Sequence, residues 1–325
     1  MSTSNPTPGL PSSGGSAPGG VLEAADPTQQ AAVDALEQVS DAARPDRWWE
    51  VVWASKKARV GVVIVAVYIL VGVFAPLIAP HDPLDGSFEP LAGPSGTNWL
   101  GTTTSGQDIA SQLIYGTRIS LLVGLFAGLL STVIAMVVGM ISGYTEGTIV
   151  DDVLSFLTNV ALVIPALPLI ITLVAYSEVR GVWLIVGVIS ITSWAGAARA
   201  KRAQIITLRN RDFVTAAKFS GESTWRIVFR EIMPNMTSLV AASFVGAATG
   251  AIGAEAGLAA LGLGDSRSVS WGTMLYQANA QSAIAQGLWL WVFVPGLVLA
   301  VLMTGMTFIN FGVDLLSNPH LREDA

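Results

Sequence analysis

Long apolar blocks separated by short polar segments dominate the pattern of this chain. Six blocks lie at about residues 60–80, 119–144, 153–176, 182–198, 237–263 and 289–312. A helix needs about 20 apolar residues to cross the hydrocarbon of a bilayer. Each block therefore predicts one transmembrane helix, because only helices and closed barrels satisfy their backbone hydrogen bonds in lipid. The predicted fold class is all-α, a polytopic membrane protein with six spans.

The polar segments complete the predicted domain organisation. Residues 1–43 are rich in Ser, Pro and Gly and then acidic, which predicts a disordered tail. Residues 44–59 combine tryptophans with basic residues, as is typical of an interfacial anchor. Residues 60–325 hold the transmembrane domain, with a charged loop at 199–235. Within the loop at 81–117 we expect a separate short helix.

That short helix is predicted to run from Gln107 to Tyr115, with Asp108 as a charge at its start. A carboxylate next to the first turn of a helix is more often such a charge than a catalytic acid.

Composition agrees with a membrane protein and excludes several kinds of site. The chain is 52% hydrophobic and only 12% charged, whereas soluble domains have about 25% charged residues. It contains no cysteine, and its two histidines, His81 and His320, lie outside the apolar blocks. We therefore expect neither disulfides nor a metal centre. The run GTTTSG at 101–106 lacks the lysine of a phosphate-binding loop, so no bound ATP or other cofactor is expected in this chain. The paired carboxylates Asp151 and Asp152 are predicted to lie on a short cytoplasmic turn, and with no cysteine and no histidine in the apolar blocks no catalytic residue is expected.

The distribution of basic residues predicts the orientation. One set of segments would hold Arg44, Arg47, Lys56, Lys57, Arg59, Arg199, Lys201, Arg202, Arg209, Arg211, Lys218, Arg226, Arg230 and Arg322. The other side would hold only Arg118, Arg180 and Arg267. Because basic residues concentrate on the cytoplasmic side, both termini are predicted to be cytoplasmic.

The segment DFVTAAKFSGESTWRIVFREIMPN, residues 212–235, is unusually charged for its place between two apolar blocks. Asp212 is expected to cap a short helix, and Gly221 is expected to end it. A second helix then begins at Ser223 or Thr224 with an apolar stripe at helical spacing.

Pro234 is expected to close this unit before the next span. The paired alanines Ala216 and Ala217 permit a close approach by another backbone. We therefore interpret the segment as a stiff, bent element that docks into a soluble partner; an ordinary loop with an interfacial helix is the alternative.

The same segment resembles the EAA loop of permease subunits of ATP-binding-cassette (ABC) importers, in the oligopeptide, dipeptide and nickel branch. The family pattern is Glu-Ala-Ala, three residues, Gly, nine residues, Ile, one residue and Leu-Pro. The corresponding positions here are Thr215, Ala216, Ala217, Gly221, Glu231, Met233 and Pro234. The alanines, the glycine and the proline match, whereas threonine, glutamate and methionine replace the family's Glu, Ile and Leu. The resemblance implies an ATPase-coupling role for Thr215, Ala216, Ala217, Gly221, Glu222, Ser223, Arg226 and Pro234.

Three further stretches carry the resemblance, at residues 100–124, 255–275 and 310–322. In the first, the branch usually carries arginine where this chain has Gln107, and often another near Gln112. In this respect the chain is similar to oligosaccharide-linked members. The resemblance covers about residues 45–322. It implies the type I importer permease fold and the second-permease, C-type branch.

The resemblance also implies the partners and the location. A homologous second permease would complete the pathway, two ATPase subunits would bind ATP and Mg, and an extracytoplasmic binding protein would deliver an oligopeptide or oligosaccharide. The chain would be a non-catalytic subunit in the bacterial cell membrane, in contact with lipid and not with nucleic acid.

Four residues inside the apolar blocks are candidates for the translocation pathway or its gate. Asn159, Pro165 and Pro168 lie in the third block, where two prolines predict a kink. Glu255 is the one acid well inside a span. Intramembrane ionisable groups suggest function, although packing or gating is favoured here over substrate contact. The glycines at 246, 250, 253 and 257 predict a helix face that packs against the second permease.

A self-sufficient secondary transporter or channel is the alternative function. Such proteins usually carry polar networks at mid-membrane or inverted repeats. The chain shows neither clearly, and dependence on an ATPase separates the two hypotheses.

Overall fold

A computed structural model describes residues 55–179, 181–265 and 267–317. The predicted tail at 1–43 and all but the last five residues of the predicted anchor at 44–59 lie outside them. In the described part the regular elements are all helices: α1 Lys56–Val73, α2 Ala75–Ile78, α3 Ile109–Tyr144, α4 Ile149–Val163, α5 Ala166–Ala175, α6 Val182–Ser193, α7 Ala195–Arg209, α8 Asp212–Phe219, α9 Thr224–Ala260, α10 Trp271–Ala280 and α11 Trp289–Ser317. The all-α prediction is confirmed for these residues.

The first apolar block forms α1 and the single turn α2. Helix α1 starts at Lys56 because the Ser55 side chain accepts a hydrogen bond from the Ala58 amide at 3.3 Å. Farther along α1, the Tyr68 hydroxyl donates to the Val298 carbonyl of α11 at 2.7 Å. This bond contributes to holding the first helix against the last one.

Helix α3 is longer than the sequence predicts. The Asp108 carboxylate accepts from the Ser111 amide at 2.8 Å and caps the helix, which then runs without a break over 36 residues. Asp108 is therefore a helix-start residue as expected. The prediction of a separate short helix over Gln107–Tyr115 is wrong, because the helical hydrogen bonds continue from Tyr115 into the second apolar block without a break.

The third and fourth blocks are each broken in two. Helices α4 and α5 meet at 84° around Ile164 and Pro165, and α6 and α7 meet at 43° around Trp194. Proline has no amide hydrogen for the helical ladder, which accounts for the first break. Helices α3, α9 and α11 are long and apolar enough to cross a membrane, and the bent pairs bring the number to at most five. The count of six spans therefore stays a prediction.

Small residues let the helices pack closely around α3. A Cβ on Gly128 would lie 2.8 Å from the Ala248 Cα of α9, and one on Gly139 would lie 2.8 Å from the Ala198 carbonyl of α7. Such contacts bring membrane helices together where apolar side chains gain little by leaving lipid. Helix α3 thus joins the two elements, α7 and α9, that flank the charged segment.

Candidate functional site

Helix α8 begins at Asp212, the residue that was predicted to precede the helix as its cap. Arg211 takes the extended cap conformation, its carbonyl accepts from the amides of Val214 and Thr215 at 3.1 Å, and Asp212 is the first helical residue without a capping hydrogen bond. The prediction that Asp212 caps the helix is therefore wrong. Its carboxylate still lies in the first turn, where negative charge is favourable.

The turn after α8 depends on glycine. The Glu222 amide donates to the Ala217 carbonyl at 3.1 Å, and the Gly221 amide donates to the Lys218 carbonyl at 3.0 Å. This pair of bonds is the Schellman motif, which places its glycine in the left-handed region, and Gly221 has φ +76°. Gly221 ends the helix as the sequence predicts.

The sequence predicted that the second helix ends at Pro234, and this prediction is wrong. Helix α9 runs from Thr224 through a π-helical segment, Ile227–Ile232, and a 3₁₀ turn, Met233–Met236, into the next span. The Met233 amide donates to the Val228 carbonyl five residues back, so the bonding register has already changed where the proline enters. The charged segment and the fifth apolar block are one continuous helix.

Buried aliphatic residues fix this element to the rest of the protein. Val214 of α8 and Ile227 and Ile232 of α9 are at most 1% exposed. They share a cluster with Met140 of α3 and Ile205 of α7. The element, residues 211–236, is thus anchored to the ends of α3 and α7.

Its other surface exposes four aromatic side chains, which we call the aromatic patch: Phe213, Phe219, Trp225 and Phe229. Phe219 is 89% exposed and Trp225 is 72% exposed, and the ring centres of Trp225 and Phe229 lie 4.0 Å apart. Large exposed aromatic groups on a rigid support are typical of a protein interface.

The structure brings most of the predicted coupling residues together on this element. Exposed members are Thr215, Ala216, Gly221, Ser223, Arg226 and Pro234; Ala217 and Glu222 are half-buried. Pro234 lies apart from the others, at the foot of the element where α9 continues into the span.

A second candidate site is a polar crevice between α3, α4 and α7. Asp151 of α4 is buried and accepts from the Ser142 hydroxyl at 2.6 Å and the Ser155 hydroxyl at 3.0 Å. Arg202 of α7 donates to both of its carboxylate oxygens at 2.8 Å. The sequence predicted a short turn at Asp151, but the residue lies in the first turn of α4, and its ion pair was not predicted.

The crevice contains a cavity of about 280 Å³ lined by Val138, Gly139, Ser142, Ser155, Thr158, Asn159, Ala198, Arg199 and Arg202. Asn159 and Arg199 are exposed, and the Arg199 guanidinium donates to the Asn159 side-chain oxygen. Arg199 was assigned to a charged loop. Its helical position could have been detected from the sequence, because the basic residues at the start of this loop continue the helical register of the fourth block.

The other predicted pathway residues do not join this crevice. Pro165 and Pro168 are exposed at the break between α4 and α5 and at the start of α5. Glu255 is 2% exposed in α9 and lines none of the described cavities. Whether these residues act in a pathway stays a prediction.

A buried lysine was also missed. Lys201 of α7 is fully buried, and its Nζ donates to the Ser243 hydroxyl of α9 at 2.7 Å. This bond links α7, which precedes the element at residues 211–236, to α9, which contains the second part of that element.

The glutamines that suggested an oligosaccharide substrate have local structural partners. The Gln112 amide donates to the Gln107 side-chain oxygen at 2.9 Å and to the Pro83 carbonyl at 3.2 Å. The Gln107 amide donates to the Leu84 carbonyl at 3.3 Å. Both side chains hold the loop before α3.

Comparisons with known proteins agree with this architecture. Residues 135–322 match the model of "Binding-protein-dependent transport system inner membrane component", and residues 47–94 match "N-terminal TM domain of oligopeptide transport permease C". The dipeptide transport system permease protein DppC of Haemophilus influenzae is 32% identical over 85% of this chain and 95% of its own length. The DppC protein of Bacillus subtilis is 30% identical over 84% and 85%.

Two further matches extend the comparison. A putative peptide permease protein of Brucella suis is 34% identical over 80% of this chain and 85% of its own length. Among solved structures, a chain of the MetNI methionine ABC transporter in inward-facing conformations matches with TM-score 0.48 and 18% identity, covering 62% of this chain and 93% of that one. From the family models and the curated relatives, this bacterial multi-pass membrane protein belongs to the inner membrane components of binding-protein-dependent transport systems, as a C-type permease subunit of the oligopeptide and dipeptide ABC transporters.

Proposed function

We propose that this chain is one of two permease subunits of an ATP-driven peptide importer and transmits the closure of partner ATPases to the transmembrane helices. The observation that carries the proposal is the construction of residues 211–236. An exposed aromatic patch stands on two short helices, and the second continues directly into a membrane-spanning helix. A force applied at Trp225 or Phe229 would therefore act directly on α9, and one applied at Phe213 or Phe219 would reach α9 through the turn at Gly221.

The buried side of the element supports the same role. Val214, Ile227 and Ile232 hold it against α3 and α7, so a displacement of the patch would move three helices together. Alternating access needs such concerted motion, because a packed helix bundle changes by discrete shifts of whole elements.

The remaining assignments follow from the family. ATP and Mg would be bound by two ATPase subunits, a homologous permease would complete the pathway, and a binding protein would deliver the substrate. Both termini would be cytoplasmic, on the side of the basic loop, and the type I permease fold would have six spans. This chain would have no catalytic role of its own.

The substrate class follows from the relatives. The curated relatives reported above are named for peptide or dipeptide transport. The glutamines that favoured an oligosaccharide hold a loop instead. Peptide is therefore the proposed substrate.

Gentle purification of the tagged chain from its native membrane, followed by reconstitution, tests the proposal. We expect an ATPase, a second permease and a binding protein to be retained, and ATP-dependent uptake of a short peptide such as trialanine. A chain that purifies alone and moves solute without ATP would instead be the secondary transporter.

A further inference from the structure

Arg199 and Asn159 lie inside candidate membrane spans. Asn159 belongs to the bent pair α4–α5, and Arg199 belongs to the bent pair α6–α7. Each lies ten residues from a helix end, Asn159 from Ile149 and Arg199 from Arg209, and ten residues of α-helix span ~15 Å. The Arg209 guanidinium bonds the Tyr144 carbonyl at the end of α3 at 2.9 Å, and α4 follows α3 after a short turn, so the start of α4 and the end of α7 are neighbours.

Both side chains are nevertheless exposed on the surface of the single chain. A guanidinium within a membrane span is costly against lipid, and in membrane proteins such groups face a water-filled cavity or another polar surface. The opposite side of α4 is different, because Leu157 and Val160 line an apolar cavity together with residues of α5 and α6. Helix α4 therefore has a polar face at Asn159 and an apolar face at Leu157.

The charge of the crevice is not balanced. Arg202 is neutralised by Asp151, to which it donates two hydrogen bonds. Arg199 has one hydrogen bond, to the neutral Asn159, among the described residues. A guanidinium has five N–H donors, so most of its capacity is available to a ligand in the cavity.

The lining defines the chemistry of that ligand. A free guanidinium prefers a carboxylate, which it can bind through two parallel hydrogen bonds. The hydroxyls of Ser155 and Thr158 donate to the Asp151 carboxylate and the Leu154 carbonyl, so towards a ligand they can only accept. Together with the side-chain amide of Asn159 they are suited to the N–H groups of a peptide. The volume of about 280 Å³ is near the lower limit of about 300 Å³ for ligand pockets, so it suits the end of a peptide better than a whole chain.

We propose that Arg199 and Asn159 form a binding site for the C-terminal carboxylate of the transported peptide, inside the translocation pathway. This inference rests on the proposed function as a peptide importer. A carboxylate of the second permease is the competing occupant, and it would cover the site permanently.

The accessibility of residue 159 to water distinguishes a transported peptide from a permanently bound carboxylate of the second permease. The chain contains no cysteine, so Asn159→Cys introduces a unique thiol into this subunit, and Leu157→Cys is the matched control on the apolar face of the same helix. In the reconstituted importer we expect a charged, water-soluble maleimide to label Asn159→Cys and not Leu157→Cys. Trialanine under turnover should slow that labelling several-fold, and trialanine amide should not. An unreactive Asn159→Cys, or labelling that trialanine does not slow, overturns the proposal.

Transport by Arg199 variants provides the second measurement and carries the test if Asn159→Cys fails to assemble. The quantity is the ratio of kcat/KM for uptake of trialanine to that of trialanine amide. Loss of a charged hydrogen bond should lower this ratio roughly ten-fold in Arg199→Gln, and Arg199→Lys, which keeps the charge but not the paired hydrogen bonds, should lower it less.

Any preference of the binding protein itself for trialanine or trialanine amide affects every variant equally, because the same binding protein serves all of them. It therefore drops out when the ratios of the variants are compared. A ratio that is unchanged in Arg199→Gln overturns the site while leaving the importer intact. Absence of ATP-dependent uptake in the wild-type complex would instead contradict the proposed function.

Discussion

Arg202 of α7 contacts Asp151 of α4 at two points, with Nε and Nη2 each 2.8 Å from a different carboxylate oxygen. The hydroxyls of Ser142 and Ser155 donate to the same carboxylate, so α3 shares in the contact. The consecutive helices α3 and α4 and the more distant α7 thus meet at one buried acid.

We expect Asp151→Asn to destabilise the protein by about 3 kcal/mol, because it leaves the Arg202 guanidinium without its counter-charge. The neighbouring Asp152 is exposed and serves as the control, since Asp152→Asn should change stability by less than about 0.5 kcal/mol. Thermal unfolding of the detergent-solubilised chain measures both. Equal melting temperatures for the two variants would show that the ion pair contributes little.

Gly221→Val tests the turn between α8 and α9. A side chain at φ +76° costs roughly 1–2 kcal/mol, and in the described part of the chain no atom lies within 4 Å of an added Cβ, so backbone strain is the main effect. We expect the variant to reach the membrane with substrate-stimulated ATP hydrolysis and uptake both reduced. Gly221→Asn is the control, because asparagine tolerates the left-handed region. Undiminished coupled uptake by Gly221→Val would contradict the role of this turn.

Exposed aromatic residues should carry the affinity for the ATPase. Trp225→Ala is expected to weaken binding of the ATPase subunit by about 2 kcal/mol or more, roughly thirty-fold, without lowering the stability of the permease. Ile227→Ala, only two positions away but buried, should instead destabilise the permease by about 2–5 kcal/mol.

Titration of the ATPase against the permease in nanodiscs, alongside thermal unfolding, distinguishes the two effects. If Trp225→Ala binds the ATPase as tightly as the wild type, the aromatic patch is not the docking surface.

Local features of this chain were predictable from its sequence, and long-range contacts were not. Gly221 was predictable because only the next few residues decide a helix end. The prediction of a helix end at Pro234 was wrong because a π-helical segment precedes the proline and accommodates it within α9. Such a segment leaves no signature in the sequence.

The polar crevice was hidden for another reason. Arg202 and Asp151 are 51 positions apart, and the charge pattern along α7 resembles that of a solvated loop. Arg199 and Lys201 were therefore assigned to the cytoplasm. The structure places both residues on α7, which continues the fourth apolar block after a bend of 43°, and their assignment to the cytoplasmic side stays a prediction.

The small-residue face of α9 gives a prediction about the second permease. Among residues 55–179, 181–265 and 267–317 nothing lies within 4 Å of a Cβ added at Gly246, Gly250 or Gly257, whereas one at Gly253 would be 3.2 Å from Met303. We expect Gly250→Leu to leave this chain folded but to reduce co-purification of the second permease at least several-fold. Gly187→Leu, equally open but on α6, is the control. Unchanged recovery with Gly250→Leu would exclude this face from the interface.

Lys201 and Ser243 are expected to be energetically coupled. The Lys201 side chain is fully buried, and the Ser243 hydroxyl accepts its hydrogen bond at 2.7 Å. Ser243→Ala should cost about 1–3 kcal/mol in the native background, because it removes an acceptor from a buried ammonium group.

In a Lys201→Met background the same serine substitution should cost almost nothing, because methionine carries no donor. Lys201→Met alone should be neutral or stabilising, since an apolar side chain of similar length replaces a buried charge. Melting temperatures of the four proteins measure the coupling. Equal costs of Ser243→Ala in both backgrounds would mean that this hydrogen bond does not hold α7 to α9.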